Sequence, residues 1–175
     1  MQLLRLLNLP EFAVIPSSAE EIHSEALSPG EMSQINAYRK ARAVSKKHPD
    51  ALVIGMDTLV ALEDVIFGKP KSMDHAREML QRLQGRTHVV VTGVCLIHLR
   101  HHRQHIFAEL TRVTFKPLSV AQIDAYHAIV NPLDKAGAYG IQEEGQQLVE
   151  AVDGSISNVV GLPLERLRAE LECFQ

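Results

Sequence analysis

A few side chains in this sequence could act on an oxygen-rich, anionic ligand. Asp57 follows the apolar run Leu52-Val53-Ile54-Gly55-Met56 and precedes Thr58. A carboxylate at the end of a buried strand can project into the crevice where open α/β sheets bind ligands. From position alone, such an acid is more often a turn residue. Lys69 lies in Phe67-Gly68-Lys69-Pro70. Gly68 permits close approach, and Pro70 stiffens the backbone on the other side of the lysine. Lys69 therefore reads either as a solvated loop lysine or as a fixed point charge for phosphate oxygens. Lys40 has Ala43 and Val44 as its i+3 and i+4 neighbours. On a helix it either snorkels over apolar surface or points into a site. Glu20-Glu21 sits in a polar stretch. A divalent cation that serves a phosphate ligand takes a few carboxylate oxygens plus phosphate oxygens. Glu21 and Asp57 could supply the carboxylates if the fold unites them.

The segment from Asp134 to Gly145 reads DKAGAYGIQEEG. Its glycines, set among small residues, suit either a tight turn or the close approach of a ligand to the backbone. Gln142 carries both a donor and an acceptor, enough to read the edge of a base. The pattern is neither GxGxxG nor a P-loop. His98, His101, His102 and His105 crowd one segment beside Arg100 and Arg103. That charge and a turn-like position indicate an exposed hairpin tip rather than a metal cluster. There is no HExxH, nucleophile elbow or CxxC.

The elements that must position these groups are legible from pattern. Leu3, Leu4, Leu6 and Leu7 suggest a helix over residues 2–8, and Phe12 to Ile15 a short strand. Ser28-Pro29 opens a helix that runs to about Lys47. Ala51 to Gly55 is a buried strand, and Thr58 to Leu62 with Val65 to Phe67 a hairpin around Glu63-Asp64. Ser72 caps a helix whose Ala76, Met79, Leu80 and Leu83 share a face and which Gly85 stops. Thr87 to Leu99 and Ile106 to Phe115 read as antiparallel partners. Ser119 starts a helix that ends before Pro132, Leu148 to Val152 is a strand, and Pro163 opens a last helix with Leu164, Leu167 and Leu171 inward. Alternating helices and strands with a long hairpin indicate an α/β domain with a mixed sheet.

Bulk properties narrow the function classes. A chain of 175 residues suits one domain or two closely packed lobes. Hydrophobic residues make up 46% and charged residues 22%, the balance of a globular protein with a core. A net charge of −3 argues against nucleic acid as the main partner. It leaves room for a small anion held by local cations. Cys95 and Cys173 lack metal spacing and read as unpaired thiols of a reducing compartment. No apolar run is long enough to span a bilayer, and Met1 to Leu9 lacks the features of a signal peptide.

Six blocks, in this order, resemble the Maf family of nucleotide pyrophosphatases: RKARAV (Arg39 to Val44), VIGMDTLV (Val53 to Val60), FGKP (Phe67 to Pro70), LQGRTHVVVTGV (Leu83 to Val94), DKAGAYGIQ (Asp134 to Gln142) and DGSISNVVGLPL (Asp153 to Leu164). They cover nearly the whole chain, and their joint order is far more specific than any one of them. The resemblance implies a single Maf-like domain over residues 1–175. Its fold would be a Maf/ITPase-like mixed twisted sheet flanked by helices, with an active-site cleft between two lobes. It implies a cytoplasmic, metal-dependent homodimer that hydrolyses a nucleoside triphosphate to monophosphate and pyrophosphate, using Mg2+ or Mn2+. By motif match, Asp57 corresponds to the proton acceptor, and Glu21, Lys40 and Lys69 to other site residues. Glu21 and Asp57 would hold the metal, and Thr58 and Gln142 match positions linked to base selection. The Asp57-Thr58 pair and AGAYGIQ resemble the dTTP/UTP type, which leaves modified pyrimidine nucleotides open as substrates.

The sequence also departs from the family pattern. Met56 replaces the usual alanine, and Glu143-Glu144 adds negative charge beside the expected base site. Family members open with a strand and a Ser-x-Ser-Pro-Arg-Arg-like phosphate loop, whereas Met1-Gln2-Leu3-Leu4 matches the helix after that loop. Two readings stay open on this ground: an enzyme whose start lies upstream, or a degenerate, non-catalytic nucleotide-binding or interaction protein of the same fold.

Overall fold

The computed structural model describes Leu7 and residues 11–174. The helix expected over residues 2–8, apart from Leu7, lies outside the described residues. A five-stranded sheet carries the fold, in the order β2-β1-β3-β4-β5. The strands are β1 (Leu52–Leu62), β2 (Val65–Phe67), β3 (Thr87–His98), β4 (Arg103–Phe115) and β5 (Val149–Asp153). The helices are α1 (Pro29–Ser45), α2 (Met73–Leu83), α3 (Val120–Ile129), α4 (Ile156–Val159) and α5 (Leu164–Phe174). The two segments expected around Gly55 and Thr58 form one continuous strand. Phe12 to Ile15 belongs to no strand and is exposed. An apolar run without a ladder partner among the described residues has nothing to register against.

The chain divides into two compact units. The first comprises Met1–Thr58, Thr92–Glu109 and Gly161–Gln175, and the second Leu59–Val91 and Leu110–Val160. Each has its own core.

In the first unit the strands alternate cleanly between two faces. Val53 on β1 and Cys95 and Ile97 on β3 pack with Ala37 and Ala41 of α1. Ile54, Met56, Val94 and Leu96 pack on the other face with Leu7, Leu162, Leu167 and Leu171. Helix α1 starts where Ser28 and Glu31 form a reciprocal capping box and Pro29 occupies the first turn. Its approach to the sheet is unusually close because two glycines face it. A Cβ on Gly55 would stand 2.4 Å from the Ala37 carbonyl oxygen and 2.7 Å from the Ala41 nitrogen. One on Gly93 would stand 2.3 Å from the Ser33 carbonyl carbon. The β3–β4 turn is exposed, as expected for the histidine-rich segment. The Arg100 guanidinium donates to both carboxylate oxygens of Asp50 at 2.7 and 3.0 Å.

The second unit is built around Phe115, Tyr126, Leu80, Leu83, Val90 and Leu148. β2 returns antiparallel to β1 with Val60 opposite Phe67 and Leu62 opposite Val65. β5 pairs antiparallel with β4, with an irregularity between Thr114 and Phe115. Helices α2 and α3 are capped by Ser72 and Ser119, the residue type that satisfies otherwise orphaned amide donors. The short helix α4 is not foreshadowed by the sequence pattern: one turn offers too few residues to show a period.

Replacing Gly55 by alanine is expected to force α1 away from β1, because the obstructing atoms belong largely to backbone. The expected loss is about 1–3 kcal/mol of unfolding free energy, the usual range for overpacking. Urea denaturation of Gly55→Ala beside the parent checks it; equal midpoints would contradict the close approach.

Candidate active site

The alternation that sends Val53 and Gly55 toward α1 sends Asp57 the same way. The side chain is buried and meets two residues of that helix. The Lys40 ammonium donates to Asp57 Oδ1 at 2.5 Å, and the Asn36 amide donates to Asp57 Oδ2 at 3.2 Å. Lys40 also contacts Glu21 Oε1 at 2.6 Å. Three of the sequence-derived candidates, Glu21, Lys40 and Asp57, thus converge around one ammonium. Glu21 lies on a segment without regular secondary structure and is exposed, whereas Lys40 is half-buried.

Burial alone would lower the Lys40 pKa. Its hydrogen bonds to Asp57 and Glu21, with their charges, outweigh that and hold it above the ordinary lysine value. The ammonium is therefore firmly charged at neutral pH. It stands between two carboxylates, the place a bridging cation would take. The donors around it are hard oxygens, the type that suits Mg2+ or Mn2+. Among the described residues no group of three or more His, Cys, Asp or Glu side chains is placed to hold a metal. A pair of carboxylates is still an adequate protein contribution for a cation that keeps water and phosphate oxygens.

Thr58 is adjacent in sequence yet on the opposite face of β1, toward α5. Its hydroxyl shares a hydrogen bond of 3.0 Å with Thr92. Gly161, at φ 93°, leaves room beside it, since a Cβ there would come within 3.1 Å of Thr58 Oγ1. Thr58 is thus not brought into the Asp57 cluster.

Lys69 and Gln142 belong to the second unit and neither is buried. Their segments are tied together by the Gly137 N–H, which donates to the Gly68 carbonyl at 3.1 Å. The glycine-rich stretch is a tight, heavily braced turn. Gly137 and Ala138 have φ of 72° and 64°, the left-handed region. Tyr126 of α3 accepts from the Gly140 N–H at 3.0 Å and donates to its carbonyl at 3.3 Å. His127 bonds the Ala138 carbonyl at 3.2 Å, and His88 of β3 meets the Tyr139 hydroxyl at 2.8 Å. The Lys135 ammonium donates to the Asn131 carbonyl at 2.9 Å and to Asp134 at 2.8 Å, and lies 3.2 Å from Glu143. Glu143 is therefore offset by a local cation. Glu144 accepts from the side-chain amides of Gln146 and Gln147.

Sequence reasoning missed Asn36, Arg39 and Lys135. Asn36 and Arg39 precede Lys40 by four and one positions, so Asn36 shares its helical face. The Arg39 guanidinium donates to the Glu20 carbonyl at 2.9 Å. An asparagine one turn before a candidate lysine was the available signal.

The family described as Maf-like protein matches residues 1–174. A dTTP/UTP pyrophosphatase of Bacillus velezensis is 44% identical over 173 residues, covering 99% of this chain and 90% of the relative. That of Bacillus cytotoxicus is 44% identical over 173 residues, covering 99% and 89%. That of Bacillus cereus strain B4264 is 43% identical over the same length, with the same coverage as the second.

The turn carries a pH dependence of its own. Burial pushes the His88 pKa from 6.5 down to about 4. The folded form thus favours the neutral ring. Its stabilising contribution is complete above pH 6.5 and is lost as pH falls toward 4, because the unfolded chain binds the proton first. That loss is about 3 kcal/mol. Urea unfolding between pH 7 and 4 should show it for the parent, while His88→Gln, which keeps a polar neighbour for Tyr139, should flatten the slope. Parallel curves would refute the assignment.

Proposed function

The chain belongs to the Maf-like protein family, and from that premise we propose that it hydrolyses dTTP and UTP, or modified pyrimidine nucleotides, to monophosphate and pyrophosphate. The observation that carries this reading is the Glu21–Lys40–Asp57 cluster, found in a chain 44% identical to dTTP/UTP pyrophosphatases along nearly its whole length.

In the reaction, water attacks the α-phosphorus, the bond from that phosphorus to the α–β bridging oxygen breaks, and pyrophosphate leaves. The attacking water loses a proton. Asp57 is the acceptor: it is positioned from both sides, by Lys40 and Asn36, and a positioned carboxylate is effective in such a transfer. Lys40 is a flexible stem bearing a fixed charge. On substrate binding it trades one carboxylate for a phosphate oxygen, which releases Asp57 Oδ1 for water. By motif match, Lys69 would neutralise charge on the departing pyrophosphate, and Gln142 and Thr58 would act in base selection. Glu21 and Asp57 would hold a Mg2+ or Mn2+ ion. Such an ion, when bound, polarises phosphoryl oxygens and offsets their charge.

A homodimer and a cytoplasmic location accompany this reading as proposals. Among the described residues no helix is long and apolar enough to cross a membrane.

Pyrophosphate release from dTTP and UTP with Mg2+ or Mn2+ tests the proposal. Turnover of both, with a purine triphosphate much slower, is the expected result. Silence with every nucleotide, despite nucleotide binding, would favour the non-catalytic relative instead. Asp57→Asn should remain folded by circular dichroism and lose about 100-fold or more of turnover, the scale of a lost general base. Retention of most activity would remove Asp57 from the mechanism.

A further inference from the structure

We infer that Asn36 is a positioning residue of this site, a clamp that fixes the Glu21 carboxylate relative to Asp57. The inference rests on the function proposed above and deepens it. Asn36 is 1% exposed and lies inside α1. Asparagine is a poor helix former, and a buried amide is costly unless its hydrogen bonds are made. Here they are made, and toward one purpose. The side-chain carbonyl accepts from the Ile22 N–H at 2.8 Å. The side-chain NH2 donates to the Ile22 carbonyl at 3.3 Å and to Asp57 Oδ2 at 3.2 Å.

One amide therefore reads both backbone groups of the residue next to Glu21, as a neighbouring β-strand would. The segment around it has no ladder among the described residues. On the other side of Glu21, Arg39 holds the Glu20 carbonyl. The glutamate is thus gripped through the peptides before and after it, by side chains of the helix that also carries Lys40. Lys40 alone could not fix the spacing of the two acids, because its stem is long and rotatable. Asn36 is short and held at both ends, and its remaining hydrogen reaches Asp57 itself. Its role is to keep two carboxylates at a constant separation, which a shared cation or phosphate ligand requires.

The test compares the parent, Asn36→Ala, Glu21→Gln and the double variant. Three quantities are measured: amide hydrogen exchange, Mn2+ binding by calorimetry without nucleotide, and kcat and KM for UTP. Asn36→Ala should speed exchange at Ile22 while α1 keeps its protection. It should weaken Mn2+ binding and lower kcat by about 10-fold or more, the range found when a partner that orients a ligand is removed. Because Asn36 grips the Glu21 segment as well as touching Asp57, the double variant should lose less Mn2+ affinity than the two single losses multiplied. Unchanged exchange at Ile22 overturns the inference. So does faster exchange with Mn2+ affinity and kcat retained, or losses that multiply in the double variant. If the alanine variant does not fold, Asn36→Ser is read by the same measures. A parent that releases no pyrophosphate overturns the proposed function; an active parent with an indifferent Asn36→Ala overturns only the clamp.

Discussion

The distance between α1 and the sheet is the constraint on which the first unit depends. Two missing side chains, at Gly55 and Gly93, allow the helix backbone to rest almost on the strands. Asp57 lies two residues beyond Gly55 on the same face of β1, so it meets the helix at the same short range. Only this proximity lets a side chain as short as asparagine reach from α1 to the strand and to the segment at Ile22 together. A wider gap would leave Lys40 as the sole bridge. The packing of small residues and the geometry of the site are one fact seen at two places.

The second unit solves a different problem. Its glycine-rich turn needs left-handed backbone at Gly137 and Ala138, which is unfavourable for an alanine. The surroundings impose it: Tyr126 takes both backbone groups of Gly140, and His127 and His88 hold the neighbouring positions. Gly140 lets the Lys135 stem pass, since a Cβ there would lie 2.9 Å from Lys135 Cε. Strain held by several independent contacts is a means of fixing a backbone surface without regular structure.

Much of this was legible in the sequence because it rests on local pattern. The caps at Ser28, Ser72 and Ser119 mark helices where they were expected. The helix face of Ala76, Met79, Leu80 and Leu83 is buried as its period required. The convergence of Glu21, Lys40 and Asp57 was anticipated only through resemblance to a family, since no local rule links residues so far apart in the chain. Asp57 and Thr58, adjacent in sequence, are separated by the strand itself: it sends neighbours to opposite faces of β1, so the acid and the hydroxyl serve different surroundings. Asn36 was overlooked because a polar residue inside a helix is ordinarily read as surface, and its burial depends on the two glycines opposite. The strand expected at Phe12 to Ile15 failed for the same kind of reason: an apolar run becomes a strand only when a partner lies beside it.

The pairing of Lys40 has a kinetic corollary. Its ammonium is already engaged by two carboxylates, Asp57 and Glu21. Under the proposed function, a phosphate oxygen gains this cation only by displacing one of them, so the ion pair behaves as an exchange site and not as an open anion hole. In a partly buried place, where water screens charge poorly, that exchange is easiest when a cation travelling with the nucleotide takes up the released carboxylate.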